Sequence, residues 1–376
     1  MDLKNKRIYV SVTNDLCTDQ RVSKVCNTLV DFGYEVVLIG RLLPGSWQIS
    51  RPYRIKRVKL SFNKGPLFYL NYSIRLFFFL LFSKKGVLLA NDLDTLLPNY
   101  IISKLKKSPL IYDSHEYFTE VPELVDRPNV QRAWKTIEQY ILPNIKHAYT
   151  VSQPIADAYL RAYGVQFKLI RNLPYAYFSD IKSTRKDVVI YQGALNVGRG
   201  LEDLIRAMPN VNAQLWIAGD GDVANVLKRM VLDLQLTNKV VFLGRLNTGE
   251  LKEKTQQAKL GVSLEMELGL NYTYALPNKL FDYIQAGVPV LVSPLSEMKK
   301  VVHQYSVGEV MKSRHPISIA NQLNAMLLSD NYESWKKNCL AAAQELNWEK
   351  ESVKLKDLLQ RICLLYTSDA ADDSLR

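Results

Sequence analysis

Short runs of Val, Ile and Leu alternate with stretches of helical period along nearly the whole chain, the pattern of parallel sheets covered by helices on both faces. In the first half, strands are predicted at Arg7 to Val12, Glu35 to Gly40, Arg54 to Leu60, Gly86 to Ala90, Pro109 to Tyr112 and Ala148 to Val151. Between the first two, Val22, Val25, Cys26, Leu29 and Val30 recur at helical spacing and Gly33 closes the helix, which makes one βαβ unit. After Arg171-Asn172-Leu173-Pro174 and the polar stretch from Asp180 to Asp187 the same architecture begins again. Its strands are Val188 to Gln192, Gln214 to Ala218, Val240 to Leu243, Leu260 to Leu264, Val288 to Val292 and Val307 to Val310. The expectation is an α/β protein of two facing, Rossmann-like doubly wound domains, residues 1–172 and 173–331, divided near residues 172 to 186. A helical segment, 332–362, is expected to pack back on the first domain. Two such domains leave an interdomain cleft at the carboxyl ends of their strands, where ligands of open sheets bind.

The segment Leu276-Pro277-Asn278-Lys279-Leu280-Phe281-Asp282, followed by Gly287 and a buried strand, carries the sharpest chemistry. Pro277 suits the first turn of a helix, where no amide donor is lost, and Gly287 suits its end. The amides near Pro277 and Asn278 can receive a phosphate, Lys279 adds full charge, and Asp282, one turn on, can hold vicinal hydroxyls. These residues describe a pocket for a ribose-diphosphate, although an ordinary capped surface helix with a solvated lysine has the same sequence signature.

Other candidates lie at strand ends. Gly193 to Gly200 form a glycine-bearing loop that opens a helix, and Arg199 at its entrance can fork onto diphosphate oxygens, or the loop is a plain turn. Gly219 and Gly221 read chiefly as tight βα turns, whereas the backbone of Gly244 and Arg245 can border a nucleobase. In the first half, His115 follows a strand within Tyr112-Asp113-Ser114-His115. It can meet a sugar hydroxyl or a departing oxygen, or be a satisfied polar group. Helix capping accounts for Asp19 and Asp94, and for the Asp92-Leu93-Asp94 pair that would otherwise suggest a metal.

Charge and composition narrow the partners. The net charge is +12, and residues 1 to 110 hold 18 Lys and Arg against 7 Asp and Glu. Within that region Leu76 to Phe82 are seven consecutive apolar residues, with Arg75, Lys84 and Lys85 alongside. Two readings stay open for them, a buried core helix and contact with an anionic membrane surface. No nucleic-acid-binding motif accompanies the basic charge, so nucleic acid is not an expected partner. Four scattered cysteines suggest neither a disulfide framework nor a zinc site. With no signal core and no run of the roughly 20 apolar residues a bilayer span needs, the expected location is cytoplasmic, with a peripheral place on the inner face of the membrane if the membrane-surface reading holds. The last residues, 363–376, resemble a translated sequencing adapter and are read as a non-native tail.

In order and spacing, several segments jointly resemble the retaining GT-B glycosyltransferases of family four, the glycosyl transferases group 1 type. They are Gly193 with Arg199-Gly200-Leu201-Glu202, Ala218 to Gly221, Val241 to Gly244, Pro277 to Tyr283 and Ala286 to Val290. The resemblance implies that the second domain binds a nucleotide-diphosphate sugar and the first a saccharide or polyprenol-linked acceptor. It also implies that Arg199 takes the place of a lysine on the diphosphate, aided by Lys279. Asp282 replaces the glutamate that holds the ribose, and His115 lies near the transferred sugar. Three departures stand out: Ala194 replaces the usual arginine, Tyr274 stands eight before Asp282 where a glutamate is usual, and Asn14-Asp15 replaces a Gly-Gly pair. Glu267 is the chosen replacement for the missing glutamate, with Glu265 the competing choice. The implied reaction is metal-independent hexosyl transfer with retention, without a cofactor, in cell-surface polysaccharide assembly. A sugar-nucleotide 2-epimerase and a non-catalytic sugar-nucleotide-binding scaffold are the rivals. A nicotinamide oxidoreductase is disfavoured because Val10 to Asp15 contain no glycine.

Overall fold

The computed structural model describes residues 6–17, 19–177 and 185–373, with side chains up to Ile362. The chain divides into two compact units, one of residues 1–172 and 351–376, the other of residues 173–350. Part of the expected boundary, 178–184, lies outside the described residues, as do 374–376 of the tail.

The first unit is built from β1 (Arg7–Asp15), α1 (Gln20–Asp31), β2 (Glu35–Leu42), β3 (Arg54–Lys59), α2 (Gly65–Phe82), β4 (Val87–Asn91), α3 (Leu93–Lys106) and β5 (Leu110–Ser114). It continues with α4 (Pro122–Val125), α5 (Pro128–Ile141), β6 (His147–Thr150), α6 (Gln153–Tyr163) and β7 (Lys168–Leu169). The strands form one parallel sheet in the order β3-β2-β1-β4-β5-β6-β7. Every residue of β4 and β5 is buried, as strands covered on both faces must be. Asp19 caps α1 by accepting from the amide of Val22, as its sequence position suggests.

The second unit runs β8 (Lys186–Gln192), α7 (Leu201–Ala207), β9 (Gln214–Ala218), α8 (Ala224–Asp233), β10 (Val240–Gly244), α9 (Thr248–Gln257) and β11 (Ala258–Ser263). It goes on through α10 (Leu270–Tyr274), α11 (Asn278–Gln285), β12 (Val290–Val292), α12 (Ser296–Tyr305), β13 (Gly308–Val310), α13 (Pro316–Leu327) and α14 (Tyr332–Ala343). Its parallel sheet is ordered β10-β9-β8-β11-β12-β13. In each sheet the winding direction reverses once, between β1 and β4 and between β8 and β11, which marks the switch point where such sheets bind ligands.

Two expectations change. The final helix α15 (Trp348–Asp373) groups with the first unit only from Glu351 onward, whereas α14 belongs to the second, because Cys339 and Ala342 are buried in a core with Tyr283 and Val288. Glu351 is the tie within the first unit, accepting from the Arg171 amide at 2.8 Å. The other change concerns α2. Among the described residues it is the one helix long and apolar enough to cross a membrane, by length and composition, so the expectation of no such segment does not hold. It is not a core helix either: only Phe68, Tyr72, Leu76 and Leu80 are buried. An apolar run interrupted by few polar residues hides which face a helix turns inward.

Candidate functional site

In the second unit the site is assembled at the switch point, from the carboxyl ends of β8 and β11 and the start of α11. Glu265, just beyond β11, is 1% exposed and accepts from Lys279 Nζ at 2.8 Å and from Ser263 Oγ at 2.7 Å. Arg199 Nη1 stands 3.9 Å from the same Glu265 oxygen, so two cations converge on one buried carboxylate. Burial alone would raise the Glu265 pKa, but Lys279 and Ser263 outweigh it and hold the carboxyl below its ordinary value. Three ionised groups then leave one net positive charge. The aliphatic stem of Lys279 runs beside Gly193, where a Cβ would sit 3.4 Å from Lys279 Cε, and its ammonium lies 4.1 Å from the centre of the Tyr191 ring. The Arg199 guanidinium rests 5.2 Å from the centre of the Tyr272 ring.

Local sequence explains this convergence. Gly200 has φ +71°, and a Cβ there would fall 2.1 Å from the Leu264 carbonyl oxygen, so glycine lets the Arg199 loop lie against the end of β11. Pro277 takes the N-cap position of α11, one residue earlier than its expected place in the first turn, and no side chain caps the helix. Asn278, exposed, is then the first helical residue, and Lys279 points inward. Asp282, partly exposed one turn on, accepts from Gln192 Nε2 at 2.9 Å, and Gln192 Oε1 of the same side-chain amide accepts from Thr255 Oγ1 at 2.7 Å. Buried Tyr283 donates its hydroxyl to the carbonyls of Ile190 and Val262, tying α11 to both switch-point strands.

Of the two acidic candidates, Glu265 is the one that meets Lys279 and Arg199. Glu267 is exposed and lines a pocket of about 670 Å³ with Thr273, Ser296, Lys299 and Arg314. Gly244 ends the edge strand β10, and Arg245, largely exposed, lies 3.4 Å from Asp220, two strands from the cluster. Arg314 was not foreseen. It donates to the carbonyls of Leu264 and Glu265 and to Ser293 Oγ, and so fixes the turn that delivers Glu265. Its place just past β13 is the one signal the sequence offered.

In the first unit, His115 follows the carboxyl end of β5, one strand from the switch point, and both of its ring nitrogens face carboxylates. Nε2 is 2.9 Å from Asp113 and Nδ1 is 3.3 Å from Asp92, whose other oxygen accepts the His115 amide. Arg21, buried on α1, completes the group at 2.7 Å from Asp113. Burial opposes a charge on His115, but Asp113 and Asp92 overcome it and push its pKa up to about 9, so the ring is an imidazolium at neutral pH. Asp113 is correspondingly held down to about 2. Asp92 occupies the N-cap position of α3 at φ +58° yet makes no side-chain cap, and Asp94 accepts from Thr13 at 2.5 Å. The capping expected of Asp92 and Asp94 is therefore replaced by links to β5 and β1. The ring can no longer serve as a base without giving up a carboxylate.

Residues 177–341, all within the second unit, match the family described as glycosyl transferases group 1. The second unit carries a glycosyl transferases group 1 domain. A 139-residue stretch is 32% identical to an uncharacterized glycosyltransferase of Methanocaldococcus jannaschii, covering 35% of this chain and 34% of that protein's length. Among solved structures, sucrose-phosphate synthase from Thermosynechococcus elongatus superposes with a TM-score of 0.78 over 96% of this chain and all of the other, at 17% identity. Anabaena HepE in complex with UDP and glucose gives 0.72 over 95% and 100% at 15% identity. WaaG, a glycosyltransferase involved in lipopolysaccharide biosynthesis, gives 0.66 over 93% and 99% at 13%. At these identities the likeness is one of fold, and the fold is GT-B. The group 1 domain holds the whole Arg199, Glu265, Lys279 and Asp282 constellation.

Proposed function

We propose that this protein is a glycosyltransferase that moves a hexosyl group, with retention, from a nucleotide-diphosphate sugar to a saccharide or lipid-linked acceptor in cell-surface polysaccharide assembly. The observation that carries the reading is the meeting of Arg199 and Lys279 on Glu265 beside the uncapped start of α11. One net positive charge and a helix N-terminus suit a diphosphate, and Asp282, steadied by Gln192, is placed one turn along to accept ribose hydroxyls. The complex of HepE with UDP and glucose, and the part of WaaG in lipopolysaccharide biosynthesis, agree with this substrate class.

In the proposed reaction the acceptor hydroxyl attacks the anomeric carbon on the face the diphosphate leaves. The bond from that carbon to the phosphate oxygen breaks, and the departing oxygen takes the hydroxyl proton. The protein positions the partners and balances the charge that grows on the leaving group. Arg199 and the α11 amides supply that balance directly, while Lys279, held by Glu265, adds a fixed charge in a site shielded from water. These groups take the part a metal ion would otherwise play. His115, ionised and held by two carboxylates in the first unit, offers charge and hydrogen bonding and not a base.

Mass spectrometry of nucleotide sugars incubated with the protein, with and without extracted polyprenol-linked acceptors, tests this. A transferase yields a nucleoside diphosphate and an acceptor heavier by one glycosyl residue, only when acceptor is present and equally well with a chelator. Conversion of the donor without acceptor would instead identify an epimerase, and binding without turnover a scaffold.

A further inference from the structure

The unexplained feature of the first unit is α2. Its inner face, Phe68, Tyr72, Leu76 and Leu80, packs on the domain, and Tyr72 donates its hydroxyl to the Val12 carbonyl at 2.6 Å. Its outer face carries Leu67, Leu70, Ile74, Phe78 and Phe82 at intervals of three and four, which line up along the helix on the side opposite the buried row. These five are between 47% and 83% exposed, Phe82 most of all, and the Phe78 and Phe82 rings are stacked. A continuous apolar stripe of this kind marks an interaction surface.

The surrounding charge identifies the occupant. From Val36 to Asn91 the chain has no Asp or Glu at all, while it has ten Lys and Arg, against a net charge of +12 for the whole protein. Lys64, Arg75, Lys84 and Lys85 bracket the stripe and are exposed, as are Lys56 and Lys59 on the edge strand β3. A second copy of the chain laid on this face would bring like charges together. A lipid surface of negative charge satisfies the stripe and its rim at once.

We propose that α2 lies in the plane of an anionic membrane surface, its outer stripe among the upper acyl chains and its basic flanks on the headgroups. The buried face stays on the sheet, so the helix rests on the bilayer without crossing it. This inference is independent of the sugar-transfer reading.

Sedimentation of the full-length protein with vesicles tests it. Vesicles of phosphatidylcholine with roughly a third phosphatidylglycerol should bind the protein, vesicles of phosphatidylcholine alone should not, and added salt should weaken binding. Replacing Lys84 and Lys85 together by Gln should weaken it roughly 30-fold, from about 1 kcal/mol for each charge near the surface. Phe78→Ser with Phe82→Ser should reduce it by roughly tenfold or more. All four side chains are surface-exposed, and unchanged thermal unfolding verifies that the variants fold. The inference is overturned if wild-type protein ignores anionic vesicles, or if it is a dimer in solution that the two Phe changes convert to a monomer.

Discussion

Lys279 Nζ stands 2.8 Å from Glu265 Oε1, and both side chains are almost wholly withdrawn from water. A pair of this kind is costly to break from one side, since the survivor keeps its desolvation penalty without its partner. Lys279→Met should lower the unfolding free energy of the second unit by about 3 kcal/mol in urea titrations. Combining it with Glu265→Leu should recover most of that loss while leaving the protein without transferase turnover. Recovery of turnover along with stability would show that the pair serves the fold alone.

Asp282 offers a cleaner test of donor binding because its partner Gln192 is also held by Thr255. Asp282→Asn keeps the size and one acceptor but removes the charge. Loss of charge-assisted bonds to ribose hydroxyls should weaken nucleoside diphosphate binding roughly 30-fold in calorimetry, with thermal unfolding hardly moved. An unchanged affinity would take Asp282 out of the ribose contact.

The His115 cluster makes stability depend on pH. The folded-state pKa of about 9 lies above the ordinary 6.5, so the stabilisation is complete below about 6.5 and is lost as pH rises through about 9. His115→Gln should therefore be less stable than wild type by about 2 kcal/mol at neutral pH, and the gap should narrow in alkali. A gap that stays constant to beyond about pH 10 would mean the ring is neutral in the folded protein.

Asp94 acts with the opposite consequence. Burial first, and then the nearby Asp92, push its pKa up to about 7, so its ionisation costs folding stability as pH rises from its ordinary value through about 7. Asp94→Asn, whose carbonyl oxygen can still accept from Thr13, should be more stable than wild type by about 4 kcal/mol near pH 8, and hardly more stable near pH 4. Denaturant titrations at the two pH values decide it.

The doubly wound sheets were legible because Val- and Ile-rich strands covered on both faces leave a strong local imprint, and every expected strand of both halves appears. What escaped depended on distance along the chain or on facing. Arg314 reaches carbonyls about 50 positions upstream, and His115 meets Asp92 across 23 positions, separations that local pattern does not encode. The choice between Glu265 and Glu267 turned on where β11 ends and which way the next residues point. Ser263 and Glu265, two apart and on one side, settle which carboxylate meets Lys279. For α2, an apolar composition on nearly every side concealed that its outer face is left to solvent.

The most direct measurement is calorimetric titration of the intact protein and of Arg199→Ala with a panel of nucleoside diphosphates and their monophosphates. The account predicts that at least one diphosphate binds well above its monophosphate, and that Arg199→Ala weakens the diphosphate about 30-fold while leaving the monophosphate nearly unchanged. Equal affinities of both proteins for every diphosphate, or no preference for diphosphate over monophosphate, would contradict it.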